Sequence, residues 1–185
     1  MLRISSEHVI FKMDRANQPA LRVASGSSVV FETLDCFSNS VLSESDLVSS
    51  IDFDQVNPAT GPLFVEGALL AMGDLHATMG DGEIMGAGLE IAGEVTVKVD
   101  VLKDVALPLP LIETDDLWVT LGSRESMEAA SQLAIENMVS LIQKKSPLSF
   151  NQAGMLLSLA GNLHACQVVN PNVTFRMELA KSLLN

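Results

Sequence analysis

Eight of the chain's 12 glycines fall between Gly61 and Gly93, and the stretch that follows them, Glu94 to Val101, alternates strictly in polarity. Val95, Val97, Val99 and Val101 share one face, and Thr96, Lys98 and Asp100 share the other, the pattern of a strand with one wet face. Glycines at that density supply turns and left-handed backbone, and they disfavour long helices. The middle of the chain therefore reads as short strands joined by tight loops. Upstream, Val9-Ile10-Phe11, Ala20 to Val23 and Ser28 to Leu34 have the apolar, β-branched composition of further strands. Residues 38 to 50 are serine-rich and read as a loop, and NPATGP at 57 to 62 as a reversal or an extended rest.

The last third changes period. Met127, Ala130, Ala134, Met138, Leu141 and Ile142 recur at helical spacing, with Glu125 and Glu128 in the first turn and Lys144 and Lys145 in the last, until Pro147 stops the run. Ser149 and Gln152 have capping-box spacing for a second helix that Gly161 ends. LPLP at 107 to 110 reads as an extended linker and Leu117 to Leu121 as a strand. Leu163 to Val169 and Val173 to Leu179 form a hairpin across Asn170-Pro171-Asn172. The expected fold class is mainly β, with a C-terminal α+β portion of two helices and a hairpin. The expected division is a β-rich body over 1–112 with residues 113–185 packed on it as one compact unit.

At 185 residues the chain can bury a real core, and 48% hydrophobic content marks it as globular. A net charge of −12 repels phosphate backbones and anionic lipid, which argues against nucleic acid and membrane partners. The N-terminal MLRISSEHVIFKMD lacks the apolar core of a signal peptide, so a cytoplasmic location is expected. There Cys36 and Cys166 would stay reduced, as two small buried side chains.

Chemistry concentrates in GDLHATMGDGE, residues 73 to 83. Asp74 and His76 are two apart, so on extended backbone both side chains point to one face. A Gly-Asp-Gly turn at 80 to 82 could fold Glu83 back towards them. An imidazole with carboxylates suits zinc, and carboxylates alone suit calcium or magnesium. The competing reading is a hairpin with an Asp-Gly turn and a histidine satisfied by the backbone. Met72, Met79 and Met85 around the cluster read as core filler. His8 reads as solvated, and His164 as facing either a cleft or the surface. No nucleophile elbow, phosphate loop or dinucleotide fingerprint is present.

GDLHATMGDGE, continued by GAGLEIAGEVTV at 86 to 97, resembles the signature of the acetamidase/formamidase family. In the same order, residues 3 to 37, VNPATGPLFVEGA at 56 to 68, LPLPLIETDDLWVTLG at 107 to 122 and LSFNQAGMLLSLAGNLHACQVVNP at 148 to 171 resemble further family stretches. The family carries a long central stretch between two Val-Glu-Gly-Ala-like sequences, including a Gly-Asn-x-Asp motif. Here a single Val65-Glu66-Gly67-Ala68 serves as both, so the chain resembles a shortened member.

The resemblance implies a β-sandwich-like fold and hydrolysis of short linear amides, such as formamide or acetamide, to carboxylate and ammonia. On that reading His76 and Asp74 hold a divalent cation, zinc ahead of calcium. Glu83 and Asp81 are the catalytic carboxylates, and Gly80 and Gly82 line the substrate; no organic cofactor is implied. The partners are a small amide and further copies of the chain in a homodimer or larger homo-oligomer. The alternative is a non-catalytic descendant that self-associates or binds a small ligand or metal.

Overall fold

The computed structural model describes residues 1–47, 49 and 51–184, so Val48 and Ser50 of the serine-rich loop lie outside the described residues. The expected class is observed: mainly β, with two helices and a C-terminal hairpin. Contacts divide the chain into two units. Met1–Thr78 and Gly88–Asp104 form the first; Met79–Ala87 and Val105–Asn185 form the second.

The first unit is two facing sheets. One contains β1 (Leu2–Ile4), β4 (Ser27–Thr33) and β7 (Gly93–Val99), in the order β1-β4-β7. In the other, β5 (Ala59–Val65) pairs with β2 (Val9–Ile10), β3 (Leu21–Val23) and β6 (Ala68–Gly73). Ile4, Val29 and Phe31 from one sheet and Leu63 and Val65 from the other make the buried core, joined by Val97, Val99 and Val101 of the alternating stretch. The polar face of that stretch stays wet, as the alternation requires. Glu32 and Glu94 stand directly opposite each other across β4 and β7, and Arg3 pairs with both. That guanidinium offsets the repulsion expected of facing like charges and holds the Glu94 carboxyl below its ordinary range.

NPATGP takes the extended of the two forms read from the sequence. Residues 59 to 65 are a mostly buried strand, and the burial is what turn chemistry did not disclose. Thr60 is fully buried and donates from its hydroxyl to the Glu32 carbonyl at 2.7 Å. Pro62 is tolerated because the β5–β6 register shifts between Thr60 and Leu63, which relieves the ladder of a donor there. The single Val-Glu-Gly-Ala closes this hairpin. Val65 pairs with Ala68, and Glu66 and Gly67 between them have φ of 44° and 101°. Two consecutive left-handed residues match the twist of the flanking strands, and glycine takes the second at no steric cost.

In the second unit, β10 (Asn162–Gln167), β11 (Val173–Ala180), β9 (Leu117–Arg124) and β8 (Leu111–Glu113) form one antiparallel sheet in that order. Helix α1 (Met127–Lys145) begins at Ser126, whose hydroxyl accepts from the Ala129 N–H. Helix α2 (Phe150–Ala160) has the full Ser149–Gln152 capping box and ends at Gly161. Ala130, Ala134, Met138, Leu141 and Ile142 of α1 are buried at the spacing read from the sequence, with Val139 besides, whereas Met127 in the first turn is exposed; the core they join includes Trp118, Leu157, Met177 and Leu179. Two polar ties fix α1 on β9: Thr120 Oγ1 donates to the Ala134 carbonyl at 2.7 Å, and Asn137 Nδ2 to the Leu121 carbonyl at 2.9 Å. Among the described residues no helix is long and apolar enough to cross a membrane.

Candidate metal centre

The run GDLHATMGDGE is divided between the two units, at Thr78 and Met79. In the first, backbone hydrogen bonds pair the segment after β6 with the segment before β7. Ala77 N–H donates to the Leu89 carbonyl at 2.8 Å, Leu89 N–H to Thr78 at 2.9 Å and Ile91 N–H to Leu75 at 3.0 Å. This short antiparallel ladder sets His76 opposite Glu90. Asp74, at a φ of 55°, turns the chain into it from the end of β6. Asp74, His76 and Glu90 thus form one group, whose ligand atoms all lie within 4.8 Å of one another.

The imidazole is largely enclosed. His76 Nε2 stands 2.8 Å from Glu90 Oε1 and 3.6 Å from Asp74 Oδ1. Even so, His76 Nε2 and Glu90 Oε2 are buried without a hydrogen-bond partner, so the 2.8 Å approach is close but misaligned for N–H donation. Glu90 Oε1 accepts from the Gly88 N–H at 3.2 Å, which fixes the carboxylate. Two orphaned buried polar atoms converging beside a third ligand are what a cation would satisfy, and one nitrogen with two carboxylates suits zinc. The competing reading of a histidine satisfied by the backbone does not describe Nε2.

Gly88 makes the enclosure possible. A Cβ at position 88 would come within 2.7 Å of His76 Cγ and 2.8 Å of Nδ1. Gly88→Ala is therefore expected to push the ring off Glu90 and weaken metal binding by about one to two orders of magnitude, the usual cost of disturbing a ligand's support. Zinc titration of the variant, with circular dichroism to confirm the fold, checks this; unchanged affinity would contradict it.

Cys36 lies by the same group. Burial pushes its thiol up to about 12, and a hydrogen bond to Glu90 adds to the rise. It is a protonated buried side chain, as the sequence suggested, and unsuited to act as a nucleophile at neutral pH.

The remaining residues singled out in the sequence, Gly80, Asp81, Gly82 and Glu83, lie on a strap in the second unit. Gly82 is buried there; its N–H donates to the Cys166 carbonyl at 3.2 Å and its carbonyl accepts from Val168 at 3.0 Å. Asp81 makes a forked pair with Arg176, at 2.7 Å and 3.2 Å, and its Oδ2 is also 3.2 Å from His164 Nδ1. The Arg176 hydrogen bond holds the Asp81 carboxyl below its usual range. His164 takes the surface alternative: its side chain is 38% exposed, between Asp81 and Glu178. Glu83 is half-buried at a φ of 47°, within turns closed by Glu83 N–H to Gly80 and Gly86 N–H to Glu83.

Two expectations need correction. Cys166 is only partly buried, with Sγ 4.0 Å from Arg176 Nη1. Met85 is 91% exposed and Met79 also exposed, because the strap that carries them offers no core to fill. Glu90 and Arg176, which hold His76 and Asp81, were not singled out from the sequence. Each is far from its partner along the chain, and no spacing rule links them.

Comparison with known proteins bears on this geometry. Residues 50–117 match the model of the acetamidase/formamidase family. A crystal structure of an acetamidase from Bacillus halodurans is 32% identical, covers 98% of each chain and superposes with a TM-score of 0.95. The chain belongs to the acetamidase/formamidase family. Shorter matches link it to other family proteins: 46% identity over 55 residues to a putative formamidase of Schizosaccharomyces pombe, and 51% over 43 residues to an acetamidase of Mycolicibacterium smegmatis. Those stretches are 13% and 11% of the two relatives, so both are more than twice as long as this family member.

Proposed function

We propose that the chain is an amidohydrolase for short linear amides, with a divalent cation, zinc, held by Asp74, His76 and Glu90. The observation that carries the proposal is the convergence of the orphaned His76 Nε2 and Glu90 Oε2 beside Asp74. Three protein ligands with an open position are the donor count of catalytic zinc sites, whereas structural sites close the fourth. Bound there, the ion supplies Lewis acidity for the amide carbonyl and lowers the pKa of the attacking water. The balanced reaction adds one water across the C–N bond, giving a carboxylate and ammonia. His76 would offer Nε2 to the ion, and the Gly88 N–H holds the Glu90 carboxylate in place.

The proton moved from water to the leaving nitrogen is assigned to Glu83, on its place in the sequence motif. Asp81 is the weaker candidate of the two, because Arg176 occupies its oxygens and favours the ionised form. Gly80 and Gly82 keep their proposed role beside the substrate on the same motif. The test is ammonia release from formamide and acetamide, with metal content measured on the same sample.

Self-association is supported by Met155 and Leu159, one turn apart on α2 and exposed at 58% and 86%. Apolar side chains grouped along one short helix commonly mark an interface. Metal binding and assembly without turnover would favour the non-catalytic reading.

A further inference from the structure

Arg22 lies on β3 directly opposite Phe64 of β5, and Phe64 is opposite Leu69 of β6. The three form a row across the outer face of the sheet, while their neighbours Leu21, Leu63 and Leu70 turn to the core. Along this row runs a groove of about 680 Å³, whose other wall is the loop carrying Arg15, Asn17 and Gln18. The loop is fixed by its own bonds: Asn17 Nδ2 donates to the Lys12 carbonyl at 2.7 Å, and Ala16 N–H to Asp14 at 2.9 Å. The Arg22 guanidinium stacks over the Phe64 ring at 4.4 Å. Stacking leaves the N–H edge of the fork free and restricts its rotamers, the preorganisation that oxyanion recognition needs.

Arg15 and Arg22 are set apart by lining one groove together. Of the 11 basic residues, Arg3, Lys98, Lys103, Arg176 and Lys181 have carboxylate partners, and among the described residues Lys12, Arg124, Lys144 and Lys145 have none. Among the described residues neither Arg15 nor Arg22 has one, and no acidic side chain lines the groove they share. Two guanidinium groups without a carboxylate partner line this one concavity, and a planar oxyanion there would take forked hydrogen bonds from them. The volume falls within the range of small-molecule sites, about 300–1,000 Å³.

From this we infer that the groove binds a small molecule through an oxyanion, carboxylate or phosphate, gripped by Arg22 and Arg15. The site shares no residue with the His76 group and does not rest on the amidase reading.

Titration calorimetry of the full chain with inorganic phosphate and with succinate tests it, alongside arginine Nε–H NMR. One saturable site is expected, with the Arg15 and Arg22 signals shifting, for at least one of the two anions. Phosphate alone identifies a phosphorylated ligand, and succinate alone a carboxylated one. Arg22→Gln and Arg15→Gln should each weaken binding about tenfold, and Arg22→Lys nearly as much, since lysine keeps the charge but loses the fork. His76→Ala and Lys98→Gln should leave it unchanged. Absence of saturable binding for both anions, or undiminished affinity in Arg22→Gln and Arg15→Gln, would overturn the inference.

Discussion

His76→Ala is expected to abolish stoichiometric metal binding and to lower amide hydrolysis by more than about a hundredfold, the scale of losing a Lewis acid worth several kcal/mol. The reason is local. His76 supplies the only nitrogen of the Asp74–His76–Glu90 group, and its Nε2 is a buried atom with no hydrogen-bond partner in the protein. Removing the imidazole leaves two carboxylates, a donor set that suits harder cations and binds zinc poorly. Loss of fold would mimic this result, so His8→Ala, at an exposed position, serves as the control. Both variants should keep the wild-type circular dichroism spectrum. A His76→Ala protein that retains zinc and turnover would show that the ion, if any, is held elsewhere.

Gly122→Ala should be the most destabilising single methyl in the second unit. A Cβ at position 122 would fall 2.2 Å from the Ala130 carbonyl oxygen and 2.6 Å from the Ala134 nitrogen. Both are helix backbone, and α1 is held at that distance by Thr120 and Asn137 as well as by the fully buried Ala130 and Ala134. The helix must therefore lift off the sheet. Overpacking costs about 1–3 kcal/mol where side chains can move aside, and here none can. Gly154→Ala in α2 sets the scale in the other direction. Nothing lies within 4 Å of its added methyl, so helix propensity alone should stabilise by about 0.5–1 kcal/mol. Trp118, the single tryptophan and 8% exposed in the core of this unit, reports both changes by fluorescence during urea unfolding. Equal midpoints for Gly122→Ala and wild type would refute the tight helix–sheet contact.

What the sequence disclosed tracks how local each feature is. EVTVKVDV became β7 because period-two alternation matches a strand with one buried face, and that needs no knowledge of partners. The Ser149–Gln152 cap and the Asn170-Pro171-Asn172 hairpin were legible for the same reason, being settled within a few residues. NPATGP was not fully legible. Its proline and glycine signal a turn, but burial of Thr60 and Leu63 and the register shift in β5 outweigh that signal. Asp74 and His76 stood out as ligand types at close spacing, whereas Glu90 reaches His76 only through the ladder that folds residues 75–78 onto 89–91. Arg176 is hidden further, 95 residues from Asp81. Strap residues 79–87 read as part of one motif with His76, yet their contacts group them with the C-terminal unit.

The central claim is that this family member uses a metal held by Asp74, His76 and Glu90 to hydrolyse a small amide. Its most direct test is ammonia release from formamide and acetamide by the purified chain, before and after chelation and after return of zinc. One ion per chain is expected, with activity lost with the ion and restored when zinc is returned. Full activity in metal-free protein, or a zinc-loaded chain that releases no ammonia from either amide, would contradict it.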